Sequence, residues 1–450
     1  MSYPTKFVKY GGWLPSNEVV HRSFIHSRIL TAKDHQKHAP RNKDGQIQFE
    51  NPAVQAFKDD VKGDKLMEDL FEQAFLQISD YKESTEPQVR DFDTLLSMLD
   101  HILQQAPSYH VVKDEHGHEI GEPIGVPIYL IFDRLSNTSA AYDLFRLPKF
   151  NVALKKLLDA WGAYLKDPTK NSNAVLNTTG EGWFGEAAMQ SLGSKIVPLT
   201  FEETYILPDP SKETRGFDSW DAFFTRQIRA DARPIGDPKP EVLHNACEST
   251  VYRIGRNVKL HDQFWLKGQK YSLYDILNRN ESFYEYFIGG TVYQAFLSPL
   301  DYHRWHAPVS GHIEKIEVID GSYYAALPDE GAPKDDPDLP EGSPYGALIR
   351  SQSFLTITAS RALIYIQADN KDFGLVCFVG VGMAEVSTCD VTVREKQHVN
   401  VGDELGMFHF GGSSHALIFG PKSQITFENV VQENTHLKVN SAIGRVHWQQ

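Results

Sequence analysis

Apolar residues recur at helical spacing through the first third of the chain. Val54, Phe57, Val61, Leu66, Leu70 and Phe71 form one stripe behind Asn51-Pro52, an N-cap followed by a proline at the first helical position. Phe92, Leu95, Leu96, Leu99, Ile102 and Leu103 form a second, ended by Pro107. Leu154, Leu157, Leu158, Trp161 and Leu165 form a third before Pro168. Such stripes predict helices packed on one another and no cofactor box. After Phe217 the pattern shortens. Alternating or wholly apolar runs at residues 251–254, 291–297, 312–318, 354–358, 363–367, 375–379, 391–393, 406–410 and 425–427 are parted by Gly, Pro and Asp, and predict strands.

This pattern predicts an α+β chain: an arm over residues 1–45, a helical N-terminal domain over 46–205 and a mainly β domain over 206–450. Trp13, Phe24 and Ile25 would anchor the arm. Phe223 to Arg229, followed by Ala232-Arg233-Pro234-Ile235, reads as a helix ending in a proline, with phenylalanines in the core. Its arginines suit either a bidentate carboxylate or surface pairing. Residues 321–346, dense in Pro, Asp and Gly, read as a long loop, either a flap or a solvated insertion.

With 450 residues, 41% hydrophobic and 12% aromatic, the chain can bury a large core. Fifty-nine acids against 45 bases leave a formal charge of -14, the wrong sign for gripping nucleic acid or docking habitually on anionic lipid. Three cysteines, Cys247, Cys377 and Cys389, lack CxxC spacing and read as reduced thiols in a cytoplasmic protein. The N-terminus has no apolar signal region, and the longest apolar run is about half of the ~20 residues that span a bilayer.

Candidate chemistry gathers at three places. Asp301-Tyr302-His303-Arg304-Trp305-His306-Ala307-Pro308 is a polar cluster at a strand end. Its two histidines would point to opposite faces of a strand and have no third ligand nearby, so general acid-base use fits better than metal. His244-Asn245-Ala246-Cys247-Glu248-Ser249 opens a strand, and Glu248 could orient a histidine. Phe410-Gly411-Gly412-Ser413-Ser414-His415 lies between two strand-like runs; by composition it is a hairpin turn, or else Gly412-Ser413 is a self-cleavage site.

Together these pieces resemble the phosphatidylserine decarboxylase family. The family's Phe-Phe-x-Arg…Arg-Pro-Ile signature is similar to Phe223–Ile235, and its Tyr-Ser-Leu…Leu-Leu element to Tyr271-Ser272-Leu273 and Ile276-Leu277. Its Asp-Tyr-His-Arg-x-His-x-Pro motif is similar to Asp301–Pro308, and its Gly-Ser-Thr cleavage motif to Gly412-Ser413-Ser414. Departures from the phospholipid enzymes are Glu248-Ser249 for Asp-Gly, Ala359-Ser360-Arg361 for Asn-Glu-Arg, and Gly-Gly-Ser-Ser for Leu-Gly-Ser-Thr. These departures, with Gly12-Trp13-Leu14 near the start, look most like a fungal subgroup of L-tryptophan decarboxylases known from psilocybin-producing mushrooms.

The resemblance implies a decarboxylase-like β domain that cleaves itself between Gly412 and Ser413. Ser413 would become a pyruvoyl group, and the product would be two chains, 1–412 and 413–450. It implies that His306, held by Glu248, activates Ser413. The substrate amine would form a Schiff base with the pyruvoyl group, and His303 or His306 would protonate the α-carbon. No pyridoxal phosphate and no metal are called for. Trp305 and Phe410 are the candidate substrate-binding residues. The implied substrate is an aromatic L-amino acid, L-tryptophan giving tryptamine; phosphatidylserine, giving phosphatidylethanolamine, is the alternative. Two further readings stand against it: a non-enzymatic β-rich binding module, and a serine hydrolase built on Ser413, His306 and Glu248. The sequence leaves the oligomeric state open.

Overall fold

A computed structural model describes residues 15, 18–79, 89–113, 116–117, 119–124, 126–261, 272–329, 331–332, 334, 341–342, 346–385 and 388–447. Gly12-Trp13-Leu14, Tyr271 and parts of the 321–346 loop lie outside these residues.

Helices dominate up to about residue 205. They are α1 (Glu18–His38), α2 (Pro52–Lys62), α3 (Lys65–Ser79), α4 (Phe92–Ile102), α5 (Pro127–Ser136), α6 (Ser139–Leu144) and α7 (Pro148–Lys166), then α8 (Glu186–Ile196) and α9 (Phe201–Thr204). A hairpin of β1 (Tyr109–Lys113) and β2 (Glu119–Pro123) interrupts them. The caps explain the boundaries. Asn51 Oδ1 accepts from Ala53 N at the head of α2, and Asp91 Oδ1 from Thr94 N at the head of α4. The first apolar stripe is two helices and not one. Gly63-Asp64 breaks it, and the Asp64 carboxylate accepts from Leu66 N and Met67 N to restart the chain as α3. The predicted arm is partly helical too: Phe24 and Ile25 are buried on α1.

From α10 (Trp220–Phe224) onward, strands take over. In chain order these are β3 (Val242–His244), β4 (Ser249–Arg256), β5 (Thr291–Leu297), β6 (Arg304–His306), β7 (Gly311–Ile319), β8 (Arg361–Ala368) and β9 (Leu375–Met383). They continue as β10 (Cys389–Val391), β11 (His398–Val399), β12 (Glu404–Phe408), β13 (Gly412–Phe419), β14 (Ile425–Phe427), β15 (His436–Leu437) and β16 (Ala442–Val446). Short helices α11 (Leu273–Ile276), α12 (Glu281–Phe287), α13 (Ala347–Arg350) and α14 (Gln352–Thr358) lie between them. Among the described residues the largest sheet is antiparallel, in the order β11-β7-β8-β9-β13-β5-β4-β15. Smaller sheets run β10-β12-β6 and β14-β16-β3.

The large sheet separates two cores. Phe296, Val379, Val381, Ala416 and Ile418 share one continuous core with α1 to α7, while Tyr293, Leu297, Phe378, Leu417 and Phe419 join Trp305, Phe408 and Ile443 on the other side. Alternation along β13 therefore decides which core each side chain enters. The chain is α+β, and no described helix is long and apolar enough to cross a membrane.

Three local expectations are corrected. Residues 354–358 are helical: Thr356 and Thr358 hydroxyls bond back to the carbonyls of Gln352 and Phe354, which lets β-branched residues sit in α14. The helix expected to run from Phe223 to the proline stops at Phe224, capped at its start by Ser219. The described start of the 321–346 loop is packed and not solvated, with Tyr324 buried and stacked on Phe132 at 4.9 Å.

Candidate functional site

Ser413 is the second residue of β13, the strand enclosed by β9 and β5. It pairs with Gly382 on one side and Leu297 on the other. This is no hairpin: β12 ends in the small sheet and β13 begins in the large one, so the expected turn is a three-residue crossing between sheets. Within it Phe410 has φ +22° and Gly411 φ +117°. Such a conformation is strained for a phenylalanine and persists only where packing fixes it. The Ser413 hydroxyl is fully buried and has no hydrogen-bond partner among the described residues, which is costly unless the group is used. Ser413 shares a strand face with His415, while Ser414 points to the opposite, helix-lined side.

His303 follows a turn in which Ser298 N donates to the Asp301 carboxylate at 2.7 Å. Burial alone would raise Asp301, but Lys195 and His436 hold it well below the usual carboxylate range. Ser298 is next to Leu297, the residue paired with Ser413, so this turn brings His303 to the same end of the sheet. The His303 ring stacks on Phe224 at 3.8 Å. The carbonyls of Phe224 and Ser298 lie near enough to favour its protonated form, but neither ring nitrogen makes a well-formed hydrogen bond among the described residues. Burial, helped by the Arg226 guanidinium, pushes this imidazole down to about 3, so it is neutral at physiological pH. Arg226 itself donates to the backbone carbonyls of Phe223, Leu300 and Asp301 and to the Tyr205 hydroxyl.

His306 is held differently. Its Nδ1 donates to the Gly402 carbonyl at 2.7 Å, which leaves Nε2 to accept from the Tyr302 hydroxyl at 2.9 Å. Burial lowers its pKa against the raising effect of that carbonyl. The expected Glu248–His306 contact is not made. Glu248 is buried and takes a fork from Arg233, Nε at 3.1 and 3.0 Å and Nη2 at 2.5 Å, together with the backbone N–H of Val439 at 2.9 Å. A guanidinium supplies several donors in one plane and outcompetes an imidazole for a buried carboxylate. Glu248 still lies close enough for its charge to act on the His306 ring.

The two candidate substrate contacts are both buried. Trp305 packs between Phe378 and Phe408, over Gly380 and Gly406, where a Cβ would crowd its ring. The Phe410 ring lies against Trp161 and Gly162 of α7. Among the described residues, His312, Asp369 and His398 form an exposed cluster, with His398 Nε2 and Asp369 Oδ2 at 2.9 Å. It stands on the β7 and β11 side of the sheet, three strands from β13.

Two buried groups near Ser413 escaped the sequence reading. His415 is neutral, pushed down to about 3 by burial, with neither ring nitrogen hydrogen-bonded among the described residues. Its signal was the alternation Ser413, His415, Leu417, hidden by reading the glycines as a turn. Glu385 follows β9, whose last residue Met383 pairs with Gly412. Its Oε1 accepts from Ile128 N at 2.7 Å and Tyr129 N at 2.8 Å in the first turn of α5, while Oε2 has no partner among the described residues. A lone acid in an apolar run was the available signal.

Burial pushes Glu385 up to about 8. Its unfolded value is about 4.3, so the folded chain binds the extra proton between those limits, and stability falls as pH rises through that window. Glu385→Gln removes this dependence. Its melting temperature, relative to wild type, is expected to climb from about pH 5 to pH 8 and then level off, as thermal scans across pH would show.

A phosphatidylserine decarboxylase family model matches residues 220–445, half of the chain, and a second phosphatidylserine decarboxylase model matches residues 51–192. With both models on one chain, and the strands, histidines and serine arranged as above, the chain belongs to the phosphatidylserine decarboxylase family, and it is a decarboxylase. "Decarboxylase iboD" of Amanita muscaria is 54% identical over 351 residues, 78% of this chain and 99% of that protein. The L-tryptophan decarboxylase of Psilocybe cubensis is 33% identical over 96% of this chain and 93% of its own. Phosphatidylserine decarboxylase proenzyme 3 of Schizosaccharomyces pombe is 29% identical over 51% of this chain and 21% of its own.

Proposed function

We propose that this chain is a self-processing, pyruvoyl-dependent decarboxylase of a small aromatic L-amino acid, L-tryptophan first, with residues 206–450 as the catalytic unit. The setting of Ser413 carries the reading: a buried, unpartnered hydroxyl at the head of an enclosed strand, directly behind a glycine and two positive-φ residues. Ser413 Oγ would attack the Gly412 carbonyl carbon, forming an ester as the peptide C–N bond breaks. Without a Cβ, Gly412 leaves that approach open. β-Elimination then releases the Gly412 carboxylate, and hydrolysis with loss of ammonia leaves the pyruvoyl end.

These steps need a base in a dry site. Of the two imidazoles of the Asp301–Pro308 motif, His303 can take a proton without giving up a bond, whereas His306 would first have to release Tyr302. We therefore assign proton transfer to His303, and to His306 and Tyr302 the fixing of the strand beside it. The pyruvoyl group supplies an electron sink for the pair of electrons left when CO2 departs. His303 is neutral at rest, so the proton that it would return to the α-carbon is one released within the site as the substrate amine condenses.

The substrate proposal rests on the tryptophan-decarboxylating relative, which matches nearly the whole of both chains, unlike the proenzyme of the lipid enzyme. The test is to measure intact mass and then to offer L-tryptophan, L-tyrosine, L-phenylalanine, the other proteinogenic amino acids and phosphatidylserine. Two chains split before Ser413, the shorter blocked to Edman degradation, and tryptamine as product are expected. One stable 50.9 kDa species would overturn the processing. Turnover of phosphatidylserine alone would overturn the substrate.

A further inference from the structure

The Gly412–Ser413 bond is flanked by two chain segments, and the N-terminal helices grip both. Upstream, the Phe410 ring enters a notch on α7 that exists because residue 162 is glycine; a methyl there would overlap the tip of the ring. Trp161 meets the ring edge-on at 6.1 Å, and Lys166 Nζ lies 5.8 Å from its centroid. His409, one residue earlier, is hydrogen-bonded to Asp221 at 2.9 Å. Across the ladder, Met383 pairs with Gly412, Ala384 turns the chain with φ +53°, and Glu385 docks on the first turn of α5. Neither anchor faces solvent. The positive φ of Phe410 is an unfavourable backbone state, and the buried ring is the visible reason it is held.

We propose that the N-terminal helices act as a maturation clamp: α7 through the Gly162 notch, and α5 through the Glu385 carboxyl, hold the scissile peptide in the geometry of self-cleavage. The proposal rests on Ser413 being the cleavage serine. Phe410, Gly162 and Glu385 act as positioning residues, through packing and through the α5 backbone, and take no chemical part in the cleavage. A serine hydroxyl attacks its own preceding carbonyl only if the backbone is bent so that the two approach, and small misplacements of reacting atoms are expensive in rate. An acceptor that keeps its proton through neutral pH can be mimicked by an amide, so Gln at 385 keeps the α5 contact and Ala loses it.

The full-length chain is synthesised in a cell-free system in a short pulse, and the fraction cleaved is followed by intact mass. Gly162→Ala and Phe410→Ala are each expected to slow cleavage roughly tenfold or more, and Glu385→Ala to do likewise while Glu385→Gln cleaves at the wild-type rate. The pair Gly162→Ala with Phe410→Leu restores the volume of the notch and is expected to recover cleavage to within about threefold of wild type. Each change is also placed on Ser413→Ala, so that melting temperatures are compared in chains that cannot cleave. Wild-type cleavage in Phe410→Ala would overturn the clamp. So would slowing that tracks lost melting temperature and is not rescued by the pair. Failure of the wild-type chain itself to cleave is a separate result, which removes Ser413 from its role and leaves the clamp nothing to act on.

Discussion

Ser413→Ala is expected to remain one chain of 50.9 kDa and to form no amine from any amino acid, a loss of roughly a thousandfold or more. The reason is chemical and not structural. The Ser413 backbone is paired on both sides, to Gly382 and Leu297, and alanine keeps both ladders. The hydroxyl removed is buried without a partner, so its loss takes away an uncompensated polar group and should leave stability unchanged or raised by about 1 kcal/mol. Ser414→Ala is the control. That side chain enters the opposite core, and its variant should still split before Ser413. Intact mass with a melting curve decides: an unsplit, stable Ser413→Ala chain beside a split Ser414→Ala chain is the expected pair of outcomes.

The second large effect is on stability. Arg233→Met should cost about 3–5 kcal/mol, because it leaves the Glu248 carboxylate buried with the Val439 N–H as its remaining hydrogen-bond donor among the described residues. That is a large share of the 5–15 kcal/mol that typical domains have in hand. Replacing both partners, Arg233→Met with Glu248→Leu, should return most of the loss, since a buried ion pair is often matched by apolar residues of similar volume. Urea unfolding of the single and double variants measures both. If the single change proved harmless, the fork would not be the bond that holds these segments together. Were Glu248 instead the orienter of His306, the double variant would be stable yet would fail to process.

Much of this architecture was legible in the sequence because local pattern and burial agree. The stripes of α4 and α7 are real helices with Leu95, Leu99, Leu154 and Trp161 in the core, and the runs at 291–297 and 375–379 are strands. Failures came where long-range pairing overrules local composition. Gly411 to Ser414 has turn chemistry, but Gly412 onward is claimed by β5 and β9, and a strand between two partners needs no strand-like composition at its end. The apolar run at 354–358 is a helix in which the Thr356 and Thr358 hydroxyls bond back to backbone carbonyls, a local bond that composition does not announce. At the site, the motif residues were found one by one, but their partners were not. Glu248 meets Arg233, and Phe410 meets a glycine some 250 residues earlier in the chain. Contacts of that kind leave no period to read.

The place of β13 has one more consequence. A cut before Ser413 would leave a fragment of under forty residues that supplies β13, β14, β15 and β16, and so threads two of the sheets, with β13 itself flanked on both sides by the larger fragment. Such fragments are interlocked: they should travel as one particle through gel filtration and dilution, and part only when the whole sheet melts. The reactive end would be a cofactor that cannot be exchanged, lost or resupplied, so the working life of each molecule would be set by the survival of a single residue.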